Sequence, residues 1–141
     1  MNRTAVLLAG VLLSVLNSQA ARADITIRIS GSPLLKIGND GSIRKAGKKL
    51  GSVDSGGTVR KNGSLVGEVG SDGIIRKSGT KIGTIKSNGK IYRSGKLVGA
   101  IDSGGSIRKS GGLWGTASGC SSESDRAKVA AAIIFFDSYL D

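Results

Sequence analysis

The sequence contains no histidine, which removes the usual base that activates a serine or cysteine nucleophile. It has one cysteine, Cys120, so no disulfide can form within the chain; we read Cys120 as a buried thiol joining two elements that pack together. Aromatic residues make up 4%, and the stretch from Ile25 to Cys120 holds only Tyr92 and Trp114. Single-strand nucleic-acid binders stack bases on aromatic platforms, so no nucleic acid is expected among the partners. Acids are scarce too: 10 Asp and Glu stand against 21 Lys and Arg, a net charge of +11.

Long apolar runs are also missing. The N-terminal stretch "MNRTAVLLAGVLLSVLNSQAARA" has Arg3 before an apolar segment, Ala5–Leu16, and ends in the small-x-small triplet Ala21-Arg22-Ala23. That is the pattern of a secretory signal peptide cleaved after Ala23. Its apolar run falls short of the roughly 20 residues a membrane-spanning helix needs, so no transmembrane span is expected in the mature chain. The expected organisation is a signal peptide (1–23), a repeat barrel (24–120) and a C-terminal helix of the same domain (121–141). The expected destination is the periplasm or the exterior. From Asp24 onward there are 19 basic and 10 acidic residues, a net +9.

What is present is a repeat. "GSIRKAGKKLGSVDSG" (41–56) is followed without gain or loss by units at 57–72, 73–88, 89–104 and 105–120, and 25–40 precedes it in phase. Numbering each unit from 1 to 16, position 3 is Ile or Val, position 10 is large and apolar, and position 13 is Ile or Val until Ala117. Two turn signals separate them. One is at positions 6–7 (Asn62-Gly63, Ser78-Gly79); the other spans the unit boundary (Ser71-Asp72-Gly73, Ser87-Asn88-Gly89). The segments between are too short for helices and suit strands. Asn-Gly and Asp-Gly tolerate the positive φ that hairpin turns demand, so each unit reads as two antiparallel strands.

The spacing predicts a register. A three-residue loop at positions 15, 16 and 1 sets position 13 opposite 3 and position 12 opposite 4. A two-residue loop at 6–7 sets position 3 opposite 10, with a bulge expected at the position-11 glycine (Gly51, Gly67, Gly83, Gly99, Gly115). One face is then apolar; the other carries Arg28, Arg44, Arg60, Arg76 and Arg108 at position 4, with Tyr92 as the exception.

Twelve short strands in up-and-down order lose their exposed edges by closing into a barrel. Eight strands fill their own interior, so twelve should leave a void. The tail "SSESDRAKVAAAIIFFDSYLD" offers an occupant. Ser122 reads as an N-cap with Asp125 three residues on, and Ala127–Leu140 as the helix. Its middle, Val129–Phe136, has no polar face and must be surrounded. The fold expected is all-β with one helix: a closed twelve-stranded antiparallel barrel of six hairpin repeats, its lumen plugged by the hydrophobic C-terminal helix.

Tandem G-x-[IV]-R-x-x-G-x-x-[LV]-G-x-[IV] units of this kind resemble the bacterial β-flower family, across residues 25–140. The resemblance implies a barrel similar to the Tubby C-terminal and LURP-one-like folds, threaded by a hydrophobic helix. Some Tubby-like relatives bind phosphoinositide lipids, so lipid binding is implied by analogy of fold alone. The chain departs from the motif at Pro33, Leu35 and Ala117, all in terminal units, which are often atypical. A β-solenoid would need stacked coils rather than a turn at each half-repeat. MORN-type repeats are longer and richer in Tyr.

No catalytic, cofactor or metal site is expected. Asp40, Asp54, Asp72 and Asp102 lie in or beside turns, where Asp serves backbone geometry. They do not spell the glycine-aspartate nonapeptide of calcium-binding rolls. Glycine-rich stretches lack the strand-to-helix setting of a phosphate loop. The functional reading is a non-enzymatic, exported binding module. Arg44, Lys45, Arg60, Lys61, Arg76, Lys77, Arg93, Arg108 and Lys109 are its expected contacts to anionic envelope components, either phospholipid or lipopolysaccharide phosphates or an acidic envelope glycan. The alternative is a structural or adhesive surface scaffold that holds a protein partner.

Overall fold

The computed structural model describes residues 24–137, 139 and 140; the expected signal peptide lies outside them. Each unit is one hairpin. The outgoing strands are β1 (Ile25–Ile29), β3 (Ser42–Lys45), β5 (Thr58–Lys61), β7 (Ile74–Lys77), β9 (Lys90–Arg93) and β11 (Ser106–Lys109). They return through β2 (Ser32–Ile37), β4 (Lys48–Val53), β6 (Ser64–Val69), β8 (Thr80–Ile85), β10 (Lys96–Ile101) and β12 (Gly112–Ser118). Consecutive strands pair antiparallel, and β12 pairs with β1 through Thr26↔Ser118, Ile27↔Ala117 and Arg28↔Thr116. The barrel is closed.

Local chemistry fixes both turns. At positions 6 and 7 both residues take positive φ, as in Asn62 (52°) and Gly63 (85°), the twist that matches flanking strands. At the unit boundary Gly57 sits at φ +87° and donates to the Asp54 carbonyl at 3.0 Å. A Cβ on Gly57 would lie 1.9 Å from the Val69 carbonyl oxygen. The turn aspartates are spent on their own backbone: Asp54 Oδ1 accepts from the Gly56 and Thr58 N–H groups at 2.9 and 3.0 Å, and Asp72 Oδ1 from Ile74 N–H at 3.0 Å.

The register across unit boundaries is the one expected, with Ile37↔Ile43, Val53↔Val59 and Val69↔Ile75 side by side. Within each hairpin it differs by one residue. Position 3 faces position 11, a glycine in every unit but the first (Ile43↔Gly51, Val59↔Gly67, but Ile27↔Leu35), and position 10 is the bulged residue. The reason is space on one face. The bulge lets position 10 (Leu50, Val66, Ile82) pack half-buried against the core, while glycine beside it leaves room for the helix: the Phe136 and Phe135 rings press on Gly51 and Gly67. The bulged carbonyl is still used, Leu50 accepting from Asn62 N–H at 3.1 Å.

The helix, α1 (Glu123–Phe136), starts four residues before the expected Ala127 and ends four before Leu140. Ser122 caps it, its hydroxyl accepting from Asp125 N–H at 3.0 Å. Asp125 reaches back to Ser121 N–H at 3.0 Å, so the polar first turn belongs to the helix. At the other end Tyr139 N–H turns back to the Ile133 carbonyl at 3.0 Å, and burial of the Tyr139 side chain (1% exposed) ends the helix early. Val129–Ile133 are 0% exposed. They form one cluster with inward residues from all twelve strands and with Cys120. Burial pushes the Cys120 thiol up to about 11.

Candidate functional site: a basic rim at the hairpin tips

Position 5 belongs to a different surface from position 4. Residues paired across a ladder share a face, and position 5 pairs with the inward glycine of the preceding unit: Gly51↔Lys61, Gly67↔Lys77, Gly99↔Lys109. Lys45, Lys61, Lys77, Arg93 and Lys109 therefore ring the inner edge of the barrel at its hairpin-tip end. Two of them lean over aromatic residues of the tail. Lys61 Nζ lies 5.7 Å from the Phe136 ring centroid and Lys109 Nζ 5.4 Å from that of Tyr139, within cation–π range. Arg93 Nη1 donates to the Leu140 carbonyl. A cleft of about 350 Å³ opens here, with Lys61, Lys77 and Arg93 above Ile134, Phe135 and Leu140.

Position 4 lies one residue back on the outer wall. Arg44, Arg60 and Arg108 are exposed. Arg76 is half-buried and meets Glu68, at position 12, at 3.4 Å. The nine expected contact residues thus divide into an inner ring and an outer collar at one end of the molecule.

Sequence reading missed four further cations at this end. Lys48 and Lys96 occupy position 8, and Lys49 and Lys81 position 9. The signal was available, because a two-residue loop must pair 5 with 8 and 4 with 9. The ladder shows Lys45↔Lys48, Arg44↔Lys49, Arg76↔Lys81 and Arg93↔Lys96. Like charges directly opposite destabilise a sheet, and here four such pairs stand together. Positions 5–9 of the six units hold nine Lys or Arg and no Asp or Glu. The helix C-cap, Asp137, adds one carboxylate where Phe136 meets Lys61. The opposite end has the other balance: its boundary turns carry Asp40, Asp54, Asp72 and Asp102 against Lys86. A larger cavity of about 600 Å³ lies there, walled by three boundary turns and the first turns of α1, with Lys86, Arg126 and Lys128 lining it beside Asp54, Asp72 and Glu123.

One buried group near the rim is held neutral rather than reactive. Tyr139 donates its hydroxyl to the Arg108 carbonyl and stands edge-on to Trp114, centroids 5.2 Å apart; burial pushes it up to about 12. Among the described residues no three Cys, Asp or Glu side chains converge as metal ligands, and no helix is long and apolar enough to cross a membrane.

Fold and site together define a closed barrel of six hairpin repeats with one C-terminal helix and a cationic rim. The chain matches no protein-family model, no curated protein and no solved structure.

Proposed function

We propose that this chain is a non-catalytic, exported binding module of the β-flower type, whose helix plugs the barrel and whose basic rim holds anionic components of the cell envelope. One observation carries the reading: cations face cations in four pairs, on three hairpin ladders, at the same end of the barrel. Such pairs cost stability on their own, and a polyanion laid across the tips converts that repulsion into attraction. Phospholipid headgroups and lipopolysaccharide phosphates supply such a charge in the periplasm or outside the cell.

Co-sedimentation with vesicles tests it. Affinity should rise with the fraction of anionic lipid and collapse as salt shortens the screening length from about 10 Å at 0.1 M. Replacing Lys45, Lys61, Lys77, Arg93 and Lys109 by Ser should abolish binding. Equal affinity for neutral and anionic vesicles at low salt would rule the reading out.

A further inference from the structure

The apolar surface points to the kind of anion. Among the described residues the large hydrophobic side chains left exposed are Leu65, Leu97 and Leu113, at 64, 56 and 63%. Isolated surface leucines are ordinary, but these three share position 9. They stand on the outer wall opposite Arg60, Tyr92 and Arg108, one residue back from the basic ring. The hairpin-tip end thus combines a cationic inner ring with an outer collar in which three exposed leucines stand among arginines and lysines, while the far end carries the turn aspartates.

We infer that the barrel docks end-on against an anionic phospholipid bilayer, hairpin tips down, with the three leucines entering the interface and the Lys and Arg side chains on the headgroups. A soluble phosphate or a glycan would satisfy the cations and leave the leucines in water; a bilayer interface takes both. Charge fixes the orientation, because the aspartate-bearing turns are repelled by the same surface. The inference rests on reading the rim as an anion-binding surface, and adds the partner and the pose.

Trp114 is the only tryptophan, so moving it gives a clean reporter. The variants W114F/L97W, at the tips, and W114F/S55W, at the far end, are mixed with phosphatidylglycerol-containing vesicles whose acyl chains carry bromine, a contact quencher. Quenching is expected for L97W and not for S55W. In parallel, L65S/L97S/L113S should weaken vesicle binding by about tenfold or more, the scale of partial leucine burial, and leave affinity for soluble polyphosphate unchanged. Equal quenching at both ends, or full affinity in the triple variant, overturns the pose. Salt-sensitive binding of polyphosphate without binding of vesicles removes the bilayer and leaves the anion surface standing. Binding of neither removes both.

Discussion

Gly57 and Gly63 have nearly the same backbone conformation, φ +87° and +85°, yet they should respond very differently to one added methyl group. At Gly63 a Cβ would find nothing within 4 Å. G63A therefore bears only the left-handed backbone penalty, about 1–2 kcal/mol. At Gly57 the same Cβ would sit 1.9 Å from the Val69 carbonyl oxygen and 3.0 Å from its carbon. Relief requires shifting β6 backbone, whose Val69 N–H donates to Gly57 O at 2.9 Å. Overpacking of this kind adds about 1–3 kcal/mol, so G57A should lose about 2–5 kcal/mol. Urea unfolding followed by Trp114 fluorescence measures both, and an unchanged slope would show that the unfolded state is not involved. Equal destabilisation by the two variants would refute the claim that the boundary turn is sterically closed and the tip turn open.

Charge reversal at the rim should separate stability from binding. K48E/K96E turns two like-charged pairs into attractive ones, so the unfolding free energy from urea titration should rise by about 0.2–1 kcal/mol per pair, while anionic-vesicle affinity falls. A stabilised variant with undiminished binding would contradict the proposed role of the rim. Tyr139 gives a pH signature. Burial raises its folded pKa from 10 to about 12, so its contribution is fully present below pH 10 and drains away as pH rises toward 12. Y139F should lack that component of the alkaline decline, measured as the difference between the two stability profiles. Cys120, 8% exposed with its thiol pushed up to about 11, should react with a disulfide reagent at neutral pH only as fast as the barrel opens; rapid labelling of the native protein would place it at the surface.

Much of this architecture is legible because turn chemistry is local. Asn62-Gly63 and Asp72-Gly73 announce positive φ in the sequence itself, and their spacing dictates strand number, strand direction and the 13-to-3 pairing. The bulge is less legible. A glycine at position 11 marks the irregularity, but only the packing of Phe135 and Phe136 decides that Leu50 and its equivalents are the extra residues. The helix limits escaped for a similar reason. Ser122 is legible as the cap, yet its polar first turn, Glu123 to Arg126, does not look like part of an apolar helix until the cap hydrogen bond places it there, and the early stop depends on Tyr139 reaching the Arg108 carbonyl, a contact 31 residues distant. In the site, Arg44 and Lys45 were grouped because they are adjacent. Neighbours on a strand point to opposite faces, so one joins the outer collar and the other the inner ring.

The basic hairpin tips form a ring only if β12 closes on β1. In a C120S background, T26C/S118C places thiols on directly paired residues, where Ser118 Oγ already lies 3.4 Å from the Thr26 carbonyl oxygen. Oxidation should give one intramolecular disulfide spanning 92 residues and stabilise the fold by about 4–5 kcal/mol, read by urea unfolding with and without reductant. Thiols that stay free, or that bridge only between molecules, would mean that the sheet is open and the rim does not exist as a ring.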